Sequence, residues 1–173
     1  MIKSILVPVD GSQHAEKAVL LAADIAQKYE ARLILLHVLV PGPVPEGLRH
    51  MAEVEGLTPA RDAGPVAPVA EGKYPASLIS AGRDYDSHEV LGFIGKRILS
   101  DAERIAQEHG ASAVRTVLGE GDPAAQILET AEAEAANLIV MGSRGLSDLK
   151  GLLMGSVSSK VNQLSACTCV TVK

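Results

Sequence analysis

Short apolar runs alternate along this chain with stretches of helical period. Ile2–Val9 is an apolar run of strand length that ends in Asp10-Gly11-Ser12, which predicts a buried parallel strand and a turn. Ala15, Ala18, Val19, Ala22, Ile25, Ala26 and Tyr29 then recur at i, i+3, i+4 and i+7, with Ser12 placed as an N-cap. Arg32–Val40 is a second apolar run, so the first forty residues read β-α-β, a unit that crosses over to give parallel strands. The helical period returns from about His88 to His109. Its stripe is Val90 or Leu91, Ile94, Ile98, Ala102, Ile105 and Ala106, and Gly110 stands as a C-cap. Ala113–Leu118 predicts a strand ended by Gly119-Glu120-Gly121. Asp122 then caps a helix with Pro123 in its first turn and Ala124, Ile127, Leu128 and Ala131 on its apolar face. Asn137–Met141 predicts another buried strand. A Gly/Ser-rich loop, a helix from about Gly155 to Ala166 and a last strand, Thr168–Lys173, close the chain.

Five strands alternating with four helices predict an α/β fold: an open, mostly parallel five-stranded sheet with helices on both faces. Ligands of such sheets bind at the carboxyl ends of the strands, near the switch in strand order. That places the candidate sites at Pro8-Val9-Asp10, at Val38 and in the loop from Gly142. Residues 41 to about 87 break the pattern. Seven of the nine prolines fall there, with glycines at 42, 47, 56, 64 and 72, and no apolar period is sustained except a possible short turn at Leu48–Val54. The stretch reads as an insertion in a single domain spanning 1–173: a tolerated surface loop, a lid or a partner-docking segment.

Composition narrows the classes. A length of 173 residues suits one core. Hydrophobic residues make up 47% and charged residues 21%, which marks a globular chain. Aromatic residues are only 2%: Tyr29, Tyr74, Tyr85 and Phe93. So few rings cannot build a stacking platform for single-stranded nucleic acid. The net charge is −5 and the longest Lys/Arg run is Lys96-Arg97, so no basic patch invites a phosphate backbone. No apolar stretch approaches the ~20 residues that span a bilayer. Nor does the N-terminus carry a signal-peptide core and cleavage site, so a cytoplasmic location is expected. Cys167 and Cys169 are then expected to be reduced, on one face of the last strand, as buried, inert thiols.

The chemistry concentrates in residues 141–159. Gly142 and Gly145 let backbone amides approach a ligand with no Cβ in the way. Gly155-Ser156 opens the last helix, so free amides and the positive end of its dipole face the loop, and Ser156 and Ser158 add hydroxyls. Together they form a phosphate cradle that needs no Lys, and no Gly-x-x-x-x-Gly-Lys-Ser/Thr occurs.

The pattern Gly142-x2-Gly145-x9-Gly155-Ser156 resembles the ATP-binding motif of the universal stress protein family. Ile5–Ser12, Gly121-Asp122-Pro123 with Ile127-Leu128, and Ala136–Gly142 are similar to the same family, so the match covers 1–40 and about 100–173. The resemblance implies a Rossmann-like fold of the adenine nucleotide alpha-hydrolase kind that binds adenine nucleotides and dimerises. It implies that Pro8, Val9 and Asp10 lie under the adenosine and that Val38 meets the adenine through its backbone. Met141 and Gly142 would border the ribose and phosphates, and Arg144 and Gly145 would run along the phosphate chain. Gly155, Ser156, Val157 and Ser158 would hold the terminal phosphates. The implied ligand is ATP, or ADP or AMP in its place, with Asp10 on the ribose hydroxyls or on Mg²⁺. The family often has Cys-Pro-Val in the last strand, which commonly pairs across the dimer; this chain has Cys167-Thr168-Cys169-Val170.

Other signals are set aside. Gly119-Glu120-Gly121-Asp122-Pro123-Ala124 matches a dinucleotide pattern but is explained by the helix cap. The five histidines, at 14, 37, 50, 88 and 109, lack metal-ligand spacing, and His37 reads as a satisfied core histidine. Gly-x-Ser-x-Gly is absent. The expectation is an ATP-binding stress-response regulator, a homodimer through the C-terminal strand that acts as a nucleotide-dependent switch or adaptor. Two alternatives stand beside it: a slow Mg²⁺-dependent ATPase or autokinase using the same loop, with Asp148 as the nearby carboxylate, and a nucleotide-free module that binds a protein partner.

Overall fold

The computed structural model describes residues 2–40, 87–146 and 154–173. The expected insertion therefore lies outside the described residues up to Asp86, as do the Leu48–Val54 turn and Asp148. The elements run β1 (Ser4–Pro8), α1 (Gln13–Tyr29), β2 (Arg32–Leu39), α2 (Ser87–Glu108), β3 (Val114–Glu120), α3 (Pro123–Ala133), β4 (Leu138–Gly142), α4 (Ser156–Leu164) and β5 (Thr168–Val172). The strands form one sheet in the order β3-β2-β1-β4-β5, and every pair is parallel. The order reverses between β1 and β4, which is where such a sheet opens a crevice.

Period 2 in the strands decides which helices cover which face. Ile5, Val7, Leu33 and Leu35 point to one side, where they pack with the Ala-rich face of α1 and with Leu91, Ile98 and Ala102 of α2. Leu6, Ile34, Leu36, Ile139 and Met141 point to the other, against Ala124, Ile127 and Ala131 of α3 and Val161 of α4. Small residues let α1 lie close to the strands: Ala18, Ala22 and Ala23 have no exposed surface. Tyr29 departs from the expected stripe, standing 46% exposed at the end of α1.

Local chemistry sets the element ends. The Ser12 hydroxyl accepts from Ala15 N–H at 3.2 Å and starts α1. The Asp122 carboxylate accepts from Ala125 N–H at 2.9 Å and starts α3, with Pro123 following. Gly110 takes φ +89° after α2, a left-handed turn that a side chain resists. Gly119 and Glu120 do not end β3 as expected. They extend it, because Val38 and Leu39 of β2 pair with them. Cys167 and Cys169 are free and half-buried, not buried as expected: Cys169 lies in β5, an edge strand with one neighbour, and Cys167 lies before β5 begins and not on its face. No described helix is long and apolar enough to cross a membrane.

Candidate functional site

The carboxyl ends of β1, β2 and β4 open into a crevice of about 750 Å³, within the range of small-molecule sites. All twelve residues singled out from the sequence line it: Pro8, Val9, Asp10, Val38, Met141, Gly142, Arg144, Gly145, Gly155, Ser156, Val157 and Ser158. Tertiary packing adds Leu91 from α2, Pro123 and Ile127 from α3, and His37. The apolar stripe in α2 offered Val90 or Leu91 as a core residue; nothing local marked Leu91 as a wall.

The crevice is polar at one end and apolar at the other. Leu36, Val38, Leu91 and Ile127 make the apolar end. At the polar end α4 begins with Gly155 as its N-cap, which has no side chain to bond the first-turn amides. These amides and the helix dipole leave a positive terminus open to the crevice. The Arg144 guanidinium is half-buried beside it, and among the described residues no carboxylate pairs with it. Ser156 is exposed here. The Ser158 hydroxyl is turned inward, 2.9 Å from Ser143 O and 3.1 Å from Gly155 O, so its proton is used on the protein and not offered to a ligand.

Asp10 stands between the two ends. One carboxylate oxygen accepts from Ser12 N–H at 3.0 Å. The other lies so close to Gly145 that a Cβ there would overlap it. Gly145 therefore makes room for Asp10. Among the described residues no group of three or more metal-ligating side chains forms.

The edge of β2 supplies backbone groups. Leu33 N–H and Leu39 O bond toward the β3 side, with Ala113 O and Gly121 N, while Leu36 O accepts from Val9 N–H on the β1 side at 2.8 Å. Val38, two residues after Leu36, also faces the β1 side, where β1 has already ended at Pro8. Its N–H and C=O thus look into the crevice. His37 is buried, as its strand position implied, and its Nδ1 donates to Val9 O at 2.7 Å. Burial holds its pKa below the ordinary imidazole value, against the opposing pull of the Val9 carbonyl and the Asp10 charge.

The model of the universal stress protein family matches residues 1–173. The chain is 35% identical to the universal stress protein YxiE of Bacillus subtilis, over 100% of both chains. It superposes on universal stress protein UspA from Lactobacillus plantarum with a TM-score of 0.70 at 21% identity, covering 99% of this chain and 98% of that one. It also superposes on the universal stress protein from Archaeoglobus fulgidus in complex with dAMP, with a TM-score of 0.60 at 22% identity and 100% coverage of both.

Proposed function

The chain belongs to the universal stress protein family, and on that premise we propose that it binds an adenine nucleotide in the crevice between the ends of β1 and β4. The carrying observation is the division of that crevice. An apolar slot closed by Leu91 and Ile127 lies at one end, and at the other lies a helix N-terminus without a side-chain cap, beside Arg144, which no carboxylate pairs among the described residues. A nucleotide has the same division, with an apolar base, a hydroxyl-bearing sugar and an anionic tail.

In this reading the phosphates take the amides of Ser156 and Val157 together with Arg144. The Asp10 carboxylate takes the ribose hydroxyls. The Val38 N–H and C=O present one donor and one acceptor to the base edge, the complement of adenine N1 and its amino group. The dAMP complex of the Archaeoglobus fulgidus protein supports the ligand class. The nucleotide acts as a ligand whose presence favours one conformation or one partner over another. The functional unit is a homodimer paired through β5, an edge strand with one flank unpaired in the sheet.

Calorimetric titration of the nucleotide-stripped protein with ATP, ADP and AMP, with and without Mg²⁺, tests the site. The expected result is saturation near one nucleotide per chain. An absence of heat at millimolar nucleotide would overturn it. Light scattering across a concentration series tests the dimer, and a mass of one chain throughout would remove it.

A further inference from the structure

The β1–β2 ladder stops one bond earlier than its register allows. Pro8 lies opposite Leu36, and Val9 N–H makes the last bond, to Leu36 O at 2.8 Å. One step further, Asp10 would lie opposite Val38, and Val38 N–H would donate to Val9 O. That bond is absent among the described residues. Val9 O accepts instead from the His37 ring, at 2.7 Å.

We propose that His37 is a positioning residue which, by taking the Val9 carbonyl, keeps the Val38 backbone edge unpaired and available to a ligand. The protonated nitrogen must be Nδ1, because a carbonyl can only accept. The ring is held in place from above. A Cβ on Gly95 would stand 2.7 Å from His37 Cδ2, so α2 lays its backbone over the imidazole at a residue with no side chain. His37 is 6% exposed, with α2 packed against the ring on that side. His37 thus ties two facts together: where the ladder ends, and which backbone groups face the crevice. The identity of the guest at that open edge rests on the nucleotide reading above; the open edge itself does not.

The test is amide exchange at Val38, read by NMR on the full, nucleotide-free chain. In the parent protein Val38 N–H exchanges quickly. In His37→Leu the freed Val9 carbonyl accepts Val38 N–H, and exchange slows about tenfold, the effect of one hydrogen bond gained. His37→Asn places a side-chain amide where Nδ1 stands, and fast exchange is retained. If His37→Leu does not fold, His37→Val removes the donor with a smaller, strand-compatible side chain. Equally fast exchange in the donor-free variant and the parent would overturn the proposal, and so would slow exchange in His37→Asn. AMP titration adds a second readout: affinity falls about tenfold in His37→Leu and is restored in His37→Asn, while inorganic triphosphate binds both alike. Should the parent protein bind no AMP, the nucleotide reading fails, and Val38 exchange still decides the role of His37.

Discussion

Gly142 ends β4 directly against the backbone of His14: a Cβ there would stand 2.8 Å from His14 Cβ and 2.9 Å from the His14 carbonyl carbon. Backbone cannot step aside as a flexible side chain can, so the first turn of α1 would have to move. The glycine that reads from sequence as an approach point for a ligand is first a packing requirement between α1 and β4. Gly155 differs. Its nearest neighbour to an added Cβ is Ser143 O at 3.5 Å, an ordinary contact.

The two glycines therefore separate in stability. Gly142→Ala is expected to cost about 1–3 kcal/mol through overpacking. Gly155→Ala is expected to cost less than about 1 kcal/mol, mostly through a poorer N-cap. Urea melts of the two variants check this, and equal midpoints would contradict it.

Gly155→Asp sets stability against binding. A carboxylate at the N-cap bonds the first-turn amides of α4 and complements its dipole, adding roughly 0.5–1 kcal/mol. The same oxygen occupies the amides proposed for phosphate and repels it. The melting temperature should rise while ATP affinity falls at least tenfold. A variant that melts higher and still binds ATP as tightly as the parent would remove the phosphate from the α4 terminus.

His37 predicts an acid limb. Its pKa is held below the ordinary value of about 6.5, so the unfolded chain takes up its proton first as the pH falls. The stability it contributes is complete above about pH 6.5 and declines as pH drops through that value toward the folded pKa, where it levels off. Denaturation midpoints measured from pH 8 to pH 5 should show this decline in the parent and lose it in His37→Asn.

Asp122 predicts a second, lower limb. The Ala125 amide, then Lys160 at 3.1 Å, hold its carboxyl below the usual carboxylate value. Its contribution is present above that usual value and is lost as pH falls through the folded pKa. Asparagine caps equally well without titrating. The melting-temperature difference between the parent and Asp122→Asn should therefore grow with rising pH through the carboxylate range, and a constant difference would contradict it.

Glu134 fastens the amino ends of the strands. Its carboxylate lies 2.6 Å from Arg115 Nη1 on β3 and 3.6 Å from Arg32 Nη1 on β2. Both arginines are half or more exposed, so Glu134→Ala should cost only about 0.5–1 kcal/mol, and less in high salt. Guanidinium melts would mask the effect; urea melts at two salt concentrations show it.

Features that depend on near neighbours can be read along the chain. Strand and helix periods, the caps at Ser12, Asp122 and Gly110, and the glycine-rich loop all follow from contacts a few residues apart, where chain connectivity does the placing. Pro8, Val9, Asp10, Val38 and Gly142 were legible because each sits at a strand end, and a parallel sheet brings those ends together, while Gly145, Gly155, Ser156 and Ser158 stood out as small and hydroxyl residues in the loop and at the helix start; Met141, Arg144 and Val157 came from the family resemblance. Features that depend on distant pairing emerge only in the folded chain. The order β3-β2-β1-β4-β5 brings β1 against β4 across more than a hundred residues of chain. Only that arrangement sets Gly142 on His14, Gly145 on Asp10, Leu91 and Ile127 over the apolar slot, and the His37 ring on the Val9 carbonyl. Periodicity says which face a residue takes; it does not say which element arrives on that face or how closely, because that is settled by packing the whole core at once.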